Sequence, residues 1–215
     1  MTWPPEIGLA PYYADDWTVI YNADCREIIQ LLPKVDLVLT DPPYGHGKRW
    51  QGGTWGAQQK YKDALVWDVA PSADTLRAVV SVGNECVIWG GNYFASLWPS
   101  RGILAWIKTN AVPTMADLEI AWTTTDRPAK AWHGHNNRPD TGHATSKPLP
   151  LMSWCLGLYP EADTVLDPFM GSGTTLRAAK DLNRHAIGVE ISEAYCEIAA
   201  RRMSQEVFDF TGSYG

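Results

Sequence analysis

Three acidic residues, each closing a short apolar run, carry the chemistry this sequence offers: Asp41, Asp167 and Glu190. The string Asp167-Pro168-Phe169-Met170-Gly171-Ser172-Gly173-Thr174-Thr175 reads as a strand ending at an acid, a glycine turn and the start of a helix. Gly171 and Gly173 let the backbone come close to a ligand, as glycine does in dinucleotide-binding turns. Glu190 ends the next strand roughly twenty residues on, the place where an acid hydrogen-bonds ribose hydroxyls. The glycines do not follow G-x-G-x-x-G, and no G-x-x-x-x-G-K-[ST] phosphate loop is present. The pocket therefore suits a nucleoside without a polyphosphate, and S-adenosylmethionine is such a molecule.

Asp41-Pro42-Pro43-Tyr44 supplies a different chemistry. An exocyclic amine on a base is a poor nucleophile because its lone pair is delocalised into the ring. Acceptors that draw the amino hydrogens out of the ring plane turn the lone pair toward an electrophilic methyl group. The Asp41 carboxylate is one such acceptor, and the carbonyl of Pro42, held by the stiff Pro-Pro pair, is another. Tyr44 can stack on a base taken out of its helix.

Apolar runs at Asp36–Thr40, Cys86–Trp89, Ile103–Ile107, Leu118–Trp122, Asp163–Asp167 and His185–Val189 read as buried strands. Helical patterns cover Arg26–Leu32, Ala73–Val82, Leu149–Leu158, Thr174–Leu182 and Ser192–Gln205. The alternation predicts an α/β fold: a three-layer, largely parallel, Rossmann-like sheet with helices on both faces. In such sheets ligands bind outside the carboxyl ends of the strands, where the three acids stand.

Taken together, Asp41-Pro42-Pro43-Tyr44, His143-Ala144-Thr145-Ser146-Lys147-Pro148, the Asp167–Thr175 string and Gly188-Val189-Glu190 resemble the S-adenosylmethionine-dependent amino-methyltransferases of DNA. The order, with the catalytic tetrapeptide ahead of the cofactor loop, is similar to their permuted β class, and the resemblance runs from about Asp16 to Arg202. It implies that Asp167, Pro168, Phe169, Gly171, Ser172, Gly173 and Thr174 line the cofactor pocket. It also implies that Glu190 holds the ribose, that Ile191 lies against the adenine, and that Asp24 with Cys25 matches an upstream acid contacting that adenine. Thr145 and Lys147 match the segment holding the methionine end, with Lys147 paired to its carboxylate. The family segment usually reads His-Pro-Thr-Gln-Lys-Pro, and here Ala144 and Ser146 depart from it. Asp41 points to adenine N6, since the N4-cytosine branch more often resembles Ser-Pro-Pro-Tyr. A non-catalytic, cofactor-binding DNA-associated protein is the alternative from another class; the intact acidic and glycine positions argue against it.

The chain reads as a single methyltransferase domain over residues 1–215 with no obvious target-recognition insert. Its DNA contacts are expected from two stretches. One is a mobile loop, 45–62, whose Lys48, Arg49, Trp50 and Lys60 suit phosphates and an unstacked base. The other is a small target-recognition segment, 123–143, with Arg127, Lys130 and Arg138, expected to emerge near the active-site edge. So small an element implies a short target site or a homodimer that divides the work. Nothing in the sequence indicates an endonuclease partner.

Composition constrains the rest. With 18 Lys and Arg against 24 Asp and Glu, the formal charge of -6 is not that of a typical nucleic-acid binder, so any DNA surface must be local. The four cysteines, Cys25, Cys86, Cys155 and Cys196, form no C-x-x-C pair, and His133, His135 and His143 lack companions at zinc spacing, so no metal is expected. No apolar run approaches the ~18–20 residues that span a bilayer, and the first residues lack the pattern of a signal peptide. A cytoplasmic protein without membrane contact is expected.

Overall fold

In a computed structural model of the chain, residues 3–45, 68–111, 116–135 and 146–205 are described. Strand β3 (Val35–Thr40) lies at the centre of a nine-stranded sheet. Its side chains alternate, as a pleated strand requires: Leu37 and Leu39 enter one apolar cluster and Val38 the other. Both faces of the sheet are therefore covered, which explains the near-continuous apolar runs.

The remaining strands are β1 (Tyr13–Ala14), β2 (Thr18–Asn22), β4 (Gly83–Trp89), β5 (Gly102–Lys108), β6 (Leu118–Thr123), β7 (Lys130–Gly134), β8 (Thr164–Asp167) and β9 (His185–Glu190). They lie in the order β1-β2-β9-β8-β3-β4-β6-β5-β7. Strands β2, β9, β8, β3, β4, β5 and β7 share one direction, while β1 and β6 run against their neighbours. The chain leaves β3 toward β4 on one side and leaves β8 toward β9 on the other. This reversal puts a crevice at the carboxyl ends of β3 and β8, the usual ligand position in open α/β sheets.

The helices are α1 (Cys25–Ile28), α2 (Ala73–Val82), α3 (Leu149–Gly157), α4 (Thr174–Asp181) and α5 (Glu193–Met203). Helix α2 starts where the Ser72 hydroxyl accepts from Thr75 N at 3.1 Å, and it buries Leu76, Val79 and Val82. Helices α1 and α2 cover the Val38 face; α3, α4 and α5 cover the Leu37 and Leu39 face. The three-layer α/β expectation therefore holds. No helix among the described residues is long and apolar enough to cross a membrane.

Local expectations needed correction. Helix α1 stops at Ile28 rather than Leu32, and Thr18–Asn22, passed over in the sequence, is a buried strand. Of the segment 123–143, residues 123–135 are described. Because β6 is antiparallel to β4, it ends at Thr123 beside Val87 and Gly102, and the chain runs on toward the amino end of β4, where Thr124 N donates to the Cys86 carbonyl and the Thr125 hydroxyl to Glu85. Lys130 begins β7 beside Leu104, which pairs through Ala121 with Trp89, so Lys130 is level with the end of β4 but four strands across the sheet from β3. Arg127 packs instead over the Tyr159 ring, 4.4 Å from its centre, and donates to the Leu158 carbonyl at 3.3 Å.

Candidate active site at the carboxyl edge of the sheet

The parallel pairing of β3, β8 and β9 brings Asp41, Asp167 and Glu190 to one edge, and all three line a single cavity of about 640 Å³. That volume is in the range of small-molecule sites.

At the end of β8, Asp167 is buried and accepts from the Thr40 hydroxyl at 2.7 Å and from Phe169 N at 3.1 Å. Burial raises its carboxyl to about 6, against the pull of these donors. The turn that follows has positive φ at Gly171 and Gly173. A Cβ on Gly173 would lie 2.9 Å from the Ala199 side chain, so this glycine lets α4 pack closely on α5 rather than facing the cavity. At the end of β9, Glu190 ties the turn down. Its Oε2 accepts from Gly171 N at 3.0 Å and its Oε1 from Ser192 N at 2.8 Å. Burial raises the Glu190 carboxyl, with the Ser192 and Gly171 amides opposing.

This half of the cavity fits a nucleoside cofactor with an amino-acid tail. The buried Asp167 and the half-buried Glu190 stand beside Phe169 and the exposed Ile191. Pro168, Ser172 and Thr174 also line it, and the buried Ser172 hydroxyl has no hydrogen-bond partner among the described residues. The turn carries neither the G-x-G-x-x-G nor the P-loop pattern. Asp24 and Cys25 complete the wall: Asp24 caps α1 by accepting from Arg26 N at 2.9 Å and pairs with the Arg26 guanidinium, which holds its carboxyl below the usual range.

Asp41, Pro42, Pro43 and Tyr44 line the other half of the cavity. The Tyr44 hydroxyl donates to Asp41 Oδ1, and the Tyr44 ring lies 4.9 Å from that of Tyr93. Lys147, expected against a cofactor carboxylate, pairs in this structure with Asp41: its Nζ is 2.5 Å from Asp41 Oδ2 and 3.1 Å from Glu119 Oε2. Glu119 is held in turn by Lys108 at 2.6 Å. Burial pushes the Asp41 carboxyl up, Lys147 draws it back and Glu119 adds to the rise. Burial also works on Glu119, but Lys147 and Lys108 outweigh it and hold that carboxyl down at about 2.

Thr145, Lys48, Arg49, Trp50, Lys60 and Arg138 lie outside the described residues, as does most of the 45–62 loop. Sequence reasoning missed Glu119, Lys108 and Thr40. A signal for the first two existed: an acid interrupts the apolar run Leu118–Trp122, and a lysine closes Gly102–Lys108. Among the described residues no group of three His, Cys, Asp or Glu could hold a metal, and the four cysteines are free and buried.

Comparison with known proteins places these residues in context. The family model described as DNA methylase, of the N6 and N4 methyltransferases, matches residues 91–201. The Type II methyltransferase M2.DpnII of Streptococcus pneumoniae is 43% identical over 251 aligned positions, covering 91% of this chain and 93% of that protein. M.HpaI of Haemophilus parainfluenzae, also a Type II methyltransferase, is 40% identical over 222 positions, covering 82% of this chain and 70% of its own. Among solved structures, the M1.HpyAVI–SAM complex superimposes with a TM-score of 0.59 at 26% identity, over 87% of this chain and the whole of that one.

Proposed function

We propose that this chain, which belongs to the DNA methylase family of N6 and N4 methyltransferases, methylates adenine N6 at specific sites in DNA. At the coarser level it is an S-adenosylmethionine-dependent DNA amino-methyltransferase. The observation that carries the finer reading is the Asp41 carboxylate, set in the same cavity as the Asp167 turn and Glu190.

The acids divide the work. Asp167 and Glu190, with the Gly171 turn between them, bind and orient the cofactor. Its ribose adds to the donors that Glu190 already holds through Gly171 N and Ser192 N. When bound, S-adenosylmethionine supplies an electrophilic methyl group. Asp41 accepts an amino hydrogen of the flipped base, and the Pro42 carbonyl accepts the other. The amine lone pair is thereby released from the ring and directed at the methyl carbon. The ionised Asp41 carboxyl serves this best, since protonation turns one oxygen into a donor and leaves the other a weaker acceptor. Tyr44 supports the site in two ways, through its hydroxyl on Asp41 and its ring as a stacking surface.

The base-contacting surface is proposed to come from the 45–62 loop and the stretch from Lys130 to Arg138, without Arg127. Strand β7 ends at Gly134 beside Lys108, on the active-site edge, so the chain beyond it leaves from the correct end of the sheet. A homodimer remains a proposal for how so small a protein divides recognition.

The test is to express the protein, hydrolyse host DNA to nucleosides for mass spectrometry, and sequence the DNA with a method that reads modified bases. N6-methyladenine at a fixed short motif is the expected result. N4-methylcytosine would overturn the adenine assignment and leave the enzyme class standing.

A further inference from the structure

Four charged side chains alternate in sign along one line into the active site: Lys108, Glu119, Lys147, Asp41. Lys108 Nζ is 2.6 Å from Glu119 Oε1, Glu119 Oε2 is 3.1 Å from Lys147 Nζ, and Lys147 Nζ is 2.5 Å from Asp41 Oδ2. Both lysine side chains are 5% exposed. Buried ion pairs gain little net stability, because desolvation offsets their attraction. A row of four therefore calls for a functional explanation.

The backbone supplies it. Lys108 closes β5 and Glu119 lies near the start of β6, and the two strands are paired in register with Trp106 opposite Glu119. This rigid corner of the sheet reaches Asp41 through Lys147, whose ammonium also lies 3.2 Å from the Tyr44 hydroxyl. Among the described residues, the titratable groups acting on Asp41 are Tyr44 from its own loop, Glu119 from β6, Asp167 from β8 and Lys147 from the segment before α3. Lys147 is the cation of this set. The two acids and the burial of the site oppose ionisation of Asp41.

We propose that Glu119, braced by Lys108, is a positioning residue for methyl transfer: it holds the Lys147 ammonium on Asp41 Oδ2, fixing the carboxylate plane and keeping it an acceptor for the substrate amine. The inference rests on the DNA amino-methyltransferase reading and deepens it. It assigns Lys147 to Asp41 rather than to the methionine carboxylate of the cofactor, and the two roles leave different traces.

The experiment compares wild type with Lys147→Gln, Lys147→Arg, Glu119→Gln and the double variant Lys147→Gln/Glu119→Gln. It measures S-adenosylmethionine affinity by calorimetry and kcat against pH on substrate DNA. In Lys147→Gln, cofactor affinity stays within about three-fold, kcat falls at least ~30-fold, and the acid limb of the profile moves up by about one pH unit. Lys147→Arg recovers part of the rate. Glu119→Gln loses about ten-fold in kcat with KM for the cofactor unchanged and no upward move of the acid limb. Taking an anion away from Asp41 cannot raise its pKa, so that loss reports misaim of Lys147. The double variant is no slower than Lys147→Gln, because Glu119 acts only through the lysine. It also removes one charge of each sign, so it keeps the balance of the row if Lys147→Gln alone fails to fold.

Cofactor affinity weakened ten-fold or more in Lys147→Gln, with the acid limb in place, overturns the proposal in favour of a cofactor clamp. Additive losses in the double variant overturn the role of Glu119. A wild type that binds the cofactor but methylates no DNA overturns the functional reading itself, and this inference with it.

Discussion

Gly90 and Tyr44 occupy space that only a glycine leaves open: a Cβ built on Gly90 would lie 2.0 Å from Tyr44 Cε1 and 2.4 Å from Cζ. Gly90 also has φ +70, a conformation other residues adopt with strain. The end of β4 thus seats the aromatic ring of Asp41-Pro42-Pro43-Tyr44. Gly90→Ala should displace that ring, lowering kcat by about ten-fold or more and stability by roughly 1–3 kcal/mol. Cofactor affinity should stay within about two-fold, since Gly90 does not line the cofactor half. Thermal melts and single-turnover assays on the same variant would separate the two effects, and an unchanged turnover rate would show that the seat is dispensable.

Asp41→Ala should abolish methyl transfer while leaving S-adenosylmethionine binding within a few-fold. Lys147 keeps Glu119 as a partner in that variant, so the protein should still fold. Tyr44→Ala should be milder, because stacking is worth about 1–3 kcal/mol per base. Substantial turnover by Asp41→Ala would remove Asp41 from its role.

Glu190→Ala strips acceptors from both Gly171 N and Ser192 N and takes the ribose partner with them. A loss of about 1.5–3 kcal/mol in cofactor binding is expected, or roughly ten- to a hundred-fold in Kd. Calorimetry that found wild-type affinity would sink the assignment.

The buried Asp167 gives a pH signature. Its folded-state carboxyl, at about 6, lies above the ordinary 3.8 of the unfolded chain. Between those values the folded protein holds the extra proton, so stability of the cofactor-free protein should fall as pH rises from about 4 to 6. Above that range the ionised acid costs on the order of 3 kcal/mol. Asp167→Asn should therefore raise the cofactor-free Tm at pH 7.5 and weaken binding of the cationic cofactor. Wild-type affinity should itself drop as pH falls through about 6. A flat affinity profile from pH 5 to 8 would contradict this.

Arg127→Ala tests the structural placement of Arg127. The guanidinium packs on Tyr159 and the Leu158 carbonyl, so its removal should lower Tm, by about 1–2 kcal/mol in stability. The salt dependence of DNA binding should not change. A flattened salt slope would return Arg127 to the DNA surface.

The sequence by itself determined the α/β class, the main buried strands and the acids of the site. Apolar runs such as Val35–Thr40 can be buried on both faces only in a covered sheet, and Asp41, Asp167 and Glu190 each follow such a run directly. Local order along the chain carries that information. The tertiary structure alone decided what lies across the sheet. The direction of β6 is not written in Leu118–Thr123, since an apolar strand reads the same either way; its antiparallel pairing sends Arg127 away from the site and brings Glu119 into it. Lys147 likewise meets Asp41 across a separation of 106 residues, and Gly90 meets Tyr44 only because β4 lies beside β3. A charge finds its partner through strand pairing and burial, and spacing in the sequence encodes neither.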